Sequence, residues 1–172
     1  MSQQTQNLMK KISLAKVVLN MGIGKSGEPI EIGKKTLAQI TGKKPNARNA
    51  KKSQRDWGVR KGEPIGVAVT VRGNDAIELL KKLLVVKDNK IVKKAFDNEG
   101  NFSFGIKEHI DIPEIKYDPK IGILGLEVSV SLARPGFNIK FNKSKAKVGK
   151  NHRITKNDAI KFLTEEFGVQ IV

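Results

Sequence analysis

The stretch Gly22-Ile23-Gly24-Lys25-Ser26 comes closest to catalytic chemistry, because a glycine turn ending in Gly-Lys-Ser can cradle a nucleotide phosphate. Such a loop also needs a glycine five positions before the Gly-Lys-Ser, where this chain has Leu19, and Pro29 follows too soon. Nucleotide hydrolysis is therefore the weakest of three readings. A turn whose amides touch an RNA phosphate ranks above it, and a plain turn ranks first. The two histidines, His109 and His152, are too few for a histidine-only metal cluster. With no cysteine in the chain, thiolate metal sites, disulfides and cysteine catalysis are excluded. Glu108-His109-Ile110-Asp111 has residue types suited to acid–base work, but no nucleophile stands in an evident local relation to it. His109 then reads as structural or RNA-contacting, and His152, in a basic segment, as a phosphate neighbour. No enzyme constellation, cofactor or metal site emerges.

The charges point elsewhere. Lysine and arginine outnumber the acids by 33 to 17, a formal net charge of +16, which repels itself unless a polyanion relieves it. Nucleic acid is the commonest such partner and an anionic membrane surface is the other. Leu83-Leu84-Val85-Val86 stops at Lys87, so no run spans a bilayer, and Met1 to Lys11 has no signal-like apolar stretch. These features lead us to expect a soluble, cytoplasmic protein. The basic residues gather in two acid-poor segments. One holds Lys43, Lys44, Arg48, Lys51, Lys52, Arg55, Arg60 and Lys61, with Trp57 among them as either a core anchor or a stacking platform. The other holds Arg134, Lys140, Lys143, Lys145, Lys147, Lys150, Arg153 and Lys156. Charge runs are usually solvated, but their density and their Gly/Asn-containing loops suit phosphate contacts. Aromatic residues are few, which suits a reader of folded RNA shape better than a single-strand binder.

Three alternating segments must position these groups. Val17, Leu19 and Met21 share one face of a strand and Lys16, Val18 and Asn20 the other. Ile65, Val67, Val69 and Val71 oppose Gly66, Ala68, Thr70 and Arg72. Leu126, Val128, Val130 and Leu132 oppose Glu127, Ser129, Ser131 and Ala133. A further strand is expected over Phe102–Ile106, after a turn at Asp97–Asn101. Three helices are expected. The first runs from Ile30 to Ile40 after a Gly/Pro loop, with Ile30, Leu37 and Ile40 on its inner side. The second is capped by Asn74 and carries Ile77, Leu80, Leu83 and Leu84 inward; Thr155 opens the third, with Asp158 completing a capping box and Ile160, Leu163 and Phe167 inward. Pro113 and Pro119 punctuate an irregular connection. The pattern predicts an antiparallel sheet with helices on one face and the other free, either as a solvated face or as a docking surface.

With these elements laid out, the sequence resembles the family of large-subunit ribosomal protein five, the 5S-rRNA-binding proteins of the central protuberance. The resemblance rests on an ordered series over nearly the whole chain: Val17-Val18-Leu19-Asn20-Met21-Gly22-Ile23-Gly24, Thr41-Gly42-Lys43-Lys44-Pro45 and Arg60-Lys61-Gly62-Glu63-Pro64-Ile65-Gly66. It continues with Gly100-Asn101-Phe102-Ser103-Phe104-Gly105-Ile106, Glu108-His109-Ile110-Asp111-Ile112-Pro113 and Tyr117-Asp118-Pro119. Glu108–Asp111, Arg134-Pro135-Gly136-Phe137 and the basic arm look like the archaeal and eukaryotic branch. Missing cysteines and a short N-terminus favour the archaeal one.

The resemblance implies an α+β fold with a curved antiparallel sheet, helices on one face and the other open for RNA. It implies a structural constituent of the large ribosomal subunit that attaches 5S rRNA through Asn20, Lys43, Trp57 and Thr70. Lys43 stands where the family often has Gln, which suits a phosphate more than a base; Trp57 replaces the usual Phe and keeps stacking available. A loop with Lys51, Lys52, Ser53, Gln54 and Arg55, then Arg60 and Lys61, would reach P-site tRNA. Further implied partners are large-subunit rRNA, neighbouring central-protuberance proteins and a small-subunit head protein through an intersubunit bridge. From its charge, the arm with Lys140, Lys143, Lys145, Lys147, Lys150 and Arg153 is expected to hold rRNA backbone. Residues 1–12 read as a polar tail and 13–172 as one domain, including the basic loop 43–62 and the basic arm 138–154. The alternative is a general nucleic-acid packaging protein that binds by charge.

Overall fold

A computed structural model describes residues 7–112, 123–142 and 147–172. Pro113, Tyr117-Asp118-Pro119, Lys143 and Lys145 lie outside the described residues. The strands are β1 (Ser13–Gly22), β2 (Asn46–Asn49), β3 (Pro64–Val71), β4 (Lys90–Ile91), β5 (Phe102–Ile106), β6 (Leu126–Ala133) and β7 (Gln170–Ile171). The helices are α1 (Glu28–Thr41), α2 (Asn74–Val85) and α3 (Lys156–Phe167). Five strands form one antiparallel sheet in the order β2-β3-β1-β6-β5, while β4 and β7 make a small parallel pair.

The period-two patterns put the same residue types in register. Val17 lies between Val71 and Val130, and Leu19 between Val69 and Val128. These side chains are buried in one contiguous core with Leu37 of α1, Leu80, Leu83 and Leu84 of α2, and Leu163 of α3. All three helices therefore cover the same face, as the alternation predicts. The sheet is open, and among the described residues no α-helix covers its second face.

Local chemistry explains the helix ends. Pro29 occupies the first turn of α1, where a missing N–H costs nothing, so the helix starts two residues before the expected Ile30. Gly42 ends it in the left-handed region, its N–H donating to the Ala38 carbonyl at 2.8 Å. In α3 the capping box forms as read: Asp158 N–H donates to Thr155 Oγ1 at 3.3 Å, and Thr155 N–H donates to Asp158 Oδ2 at 3.2 Å.

Several expectations need correction. Asn74 is not the cap of α2; it is the first helical residue, Gly73 takes the cap position, and no side chain caps the helix. Ile77 is exposed, and Ala76 and Leu79 fill the inner face. Ile40, Ile160 and Phe167 are half-buried at the edge of the core. Ile65 lies outside the core cluster, because β3 begins as an edge-like extension of the hairpin with β2.

Candidate RNA-binding surface

The register turns the free faces of the strands into continuous rows. Asn46, Ala68, Asn20, Glu127 and Gly105 stand side by side across all five strands. Beside them run Thr70, Val18, Ser129 and Ser103. Arg48, Gly66 and Gly22 form the next row on one side, and Lys16 pairs with Ser131 on the other. Gly66 has to be glycine, since a Cβ there would lie 2.9 Å from the Met21 carbonyl oxygen. Ala68 is buried between its asparagine neighbours, so the surface is low and polar. Its centre offers amide and hydroxyl groups and its margins offer Lys16, Arg48 and Arg72. Such a plateau can hydrogen-bond nucleic acid in a fixed register, with cations at the rim for phosphates. Asn20 and Thr70 both lie on it, one row apart and on adjacent strands.

Lys43 and Trp57 are elsewhere. Lys43 follows the end of α1, and its Nζ lies 2.7 Å from Asp75 Oδ2 at the start of α2. That contact holds the Asp75 carboxyl below its ordinary range, first through the hydrogen bond and then through the charge of Lys43. Trp57 sits at the tip of the β2–β3 hairpin and is 78% exposed, which removes the core-anchor reading.

The hairpin continues well beyond its two strands. Ala50 N–H donates to the Glu63 carbonyl, Gly62 N–H to the Ala50 carbonyl, and Gln54 and Val59 exchange both main-chain bonds. Lys61 N–H donates to Ser53 Oγ at 2.9 Å. A short 3-10 turn at Arg55–Trp57 closes the tip. Lys51, Lys52, Ser53, Gln54, Arg55, Arg60 and Lys61 are all exposed along this projection. At its base Glu63 accepts from Ser26 Oγ and from Arg60 N–H, and these bonds lower its pKa, the Ser26 bond first.

That same base rules on the glycine turn. Ile23 and Gly24 both donate their N–H groups to the Ile65 carbonyl, at 3.0 and 2.8 Å, and Ser26 is tied to Glu63. Two amides that a phosphate would need are already used. The plain-turn reading stands.

The C-terminal arm is anchored by Arg134. Its guanidinium donates to the Arg153 carbonyl and to Asp158 Oδ2, both at 3.1 Å. Burial pushes the Asp158 carboxyl up, but bonds from Thr155 and the Arg134 cation outweigh this and leave it below the usual range. His152 donates through Nε2 to the Pro135 carbonyl at 2.8 Å and meets Phe137 edge-on, so it braces the arm. His109 is 1% exposed, and its Nδ1 accepts from Leu124 N–H, which makes it structural. Lys140 pairs with Glu99 at 2.6 Å; Lys147, Lys150 and Arg153 are exposed.

Comparison with known proteins agrees with this geometry. A family model described as ribosomal protein L5 matches residues 7–60, and a second, describing the C-terminus of the same ribosomal family, matches residues 64–162. The chain belongs to the ribosomal protein L5 family. Its relatives include the large ribosomal subunit protein uL5 of Nitrosopumilus maritimus, 64% identical over 99% of both chains. The uL5 protein of Cenarchaeum symbiosum is 58% identical over 95% of this chain and 98% of its own, and that of Pyrobaculum aerophilum 47% over 95% and 92%. Within the family the chain is of the archaeal type.

The sequence pattern left two parts of this surface unread. Asn46 joins the central row only because β2 forms inside the basic segment, where a polar edge strand has no apolar alternation to reveal it. Ser103 had a strand but no face until pairing with Ser129 supplied one.

Proposed function

We propose that the open face of the sheet docks 5S rRNA through the rows containing Asn20 and Thr70. Trp57 adds a stacking contact to 5S rRNA, the lysines and arginines of the β2–β3 hairpin reach P-site tRNA, and the C-terminal arm holds large-subunit rRNA backbone. In keeping with its family the chain is a structural constituent of the large ribosomal subunit on the cytoplasmic ribosome, not an enzyme. Lys43 adds a phosphate contact beside the sheet, and a bridge to the small-subunit head completes the reading. No helix among the described residues is long and apolar enough to cross a membrane.

The observation that carries the reading is the two rows of mostly uncharged side chains on the free face, one across all five strands with Glu127 as its single acid and one across four, flanked by acid-poor basic projections. A domain that bound by charge alone would have no need of an uncharged plateau. Paired variants test the division of labour: Asn20→Ala with Thr70→Ala, and Lys51→Ala with Lys52→Ala, each measured against 5S rRNA and tRNA. The sheet pair should weaken 5S binding, and the hairpin pair should spare it and reduce tRNA contact. Equal losses from both pairs on both RNAs would favour a packaging protein.

A further inference from the structure

A second concavity lies beyond the central rows. The turn at Phe137–Phe141 and the segment from Lys147 to Ile154 meet the end of the sheet around a cleft of about 570 Å3. That volume is in the range of small-molecule sites, roughly 300–1,000 Å3. Its walls come from β1, β6, the end of β3, the Asp97–Asn101 turn and the arm.

Two kinds of group line it. Lys16, Arg72, Lys147 and Arg153 line the cleft, and none has a carboxylate partner among the described residues. The one carboxylate in the lining, Glu99, is already taken by Lys140. Phe141 also lines it, and the residue is 81% exposed, so its ring is open to a partner. Asn101 completes the set. Its amide nitrogen donates to Asp97 Oδ2 at 2.8 Å, which leaves its side-chain oxygen as an acceptor.

A bare phosphate would leave the aromatic wall unused, and an apolar ligand would not need four cations. An acidic peptide would satisfy the cations but brings no flat face to the ring. A nucleotide supplies both, since every base has a π-face and every phosphate a charge. We infer that this cleft captures one unstacked nucleotide of ribosomal RNA, its phosphate held by Lys16, Arg72, Lys147 and Arg153 and its base laid on Phe141. The acceptor of Asn101 favours a base edge that presents an N–H. This deepens the reading of the arm as an rRNA contact and rests on it.

The test uses the full chain carrying Trp57→Phe and Phe141→Trp, so that indole fluorescence reports from the cleft. AMP should quench it saturably, and Arg153→Ala should weaken that response at least threefold. Inorganic phosphate should compete without quenching. No saturable response to AMP would overturn the proposal, and so would displacement of AMP by hexaglutamate more tightly than by phosphate, which would point to an acidic protein partner. In the otherwise unaltered chain, Phe141→Ala should lower affinity for large-subunit rRNA about tenfold, the scale of one lost base stack. The slope of log affinity against log salt should not change, because stacking releases no counterions. An unchanged affinity would overturn the proposal. The two readings separate cleanly. Saturable quenching by AMP in a chain that binds ribosomal and unrelated RNA equally keeps the cleft and rejects the broader function; specific rRNA binding without the AMP response does the reverse.

Discussion

The sheet face and the β2–β3 hairpin are built on opposite principles. The face is uncharged along its central rows except at Glu127, and its side chains are mostly short and held in register by strand pairing. The hairpin is held mainly by bonds between its own two arms, and it carries long cations, Lys51, Lys52, Arg55, Arg60 and Lys61, around an exposed tryptophan. A surface of the first kind distinguishes partners by hydrogen bonding and shape, and one of the second kind attracts any phosphate backbone. Net charge alone cannot tell the two apart. Salt can, because only phosphate contacts release counterions in proportion to their number.

The largest expected effect removes the scaffold common to both regions. Leu19 is 0% exposed at the centre of the core, and Leu19→Ala should cost about 2–5 kcal/mol of stability, read by denaturant unfolding. It should abolish the difference between the regions by unfolding the sheet. A more selective break is Ser129→Arg, which adds charge but raises a bulky side chain in the middle of the plateau. Despite the extra cation, 5S affinity should fall roughly tenfold, about 1.4 kcal/mol, in a filter-binding or anisotropy titration. A rise in affinity would mean that charge outweighs fit on this face.

Smaller effects sharpen the contrast. Thr70→Ala should weaken 5S binding by about 1 kcal/mol, the scale of one hydrogen bond, and leave the salt slope unchanged. Lys52→Ala should leave 5S affinity nearly intact and lower the salt slope for tRNA by about 0.7–0.9. The reverse order of effects on 5S binding would invert the assigned roles. The smallest expected effect is on pH. The folded Asp158 carboxyl lies below its ordinary value of 3.8, so its stabilisation is complete above that pH and is lost as pH falls through the lower folded value. Asp158→Asn should flatten acid unfolding in that window and leave stability less dependent on pH there.

Much of this was legible in the sequence because burial on one face imposes a period. Val17, Leu19 and Met21, then Val67, Val69 and Val71, then Val128, Val130 and Leu132, all lie where alternation puts them, and the Thr155–Asp158 box forms at the stated spacing. The faces of Asn20 and Thr70 followed from the same rule. What stayed hidden depends on partners far away in the chain. Arg134 meets Asp158 across 24 positions, and no local pattern announces such a pair. β2 is polar at an edge, so nothing periodic marks it. Ile77 looked like core by spacing, but the start of α2 at Gly73–Asn74 turns Ala76 and Leu79 inward in its place. The cleft beneath the arm draws on five separate segments and exists only after folding.

The central claim, that an uncharged face gives this basic protein a specific RNA partner, is tested most directly by one titration. The full chain is bound to 5S rRNA and to an unrelated folded RNA of equal length over a series of salt concentrations. The account predicts that the two affinities converge at low salt, where cations dominate, and separate as salt rises, with 5S rRNA retained. Equal affinities at every salt concentration would contradict it.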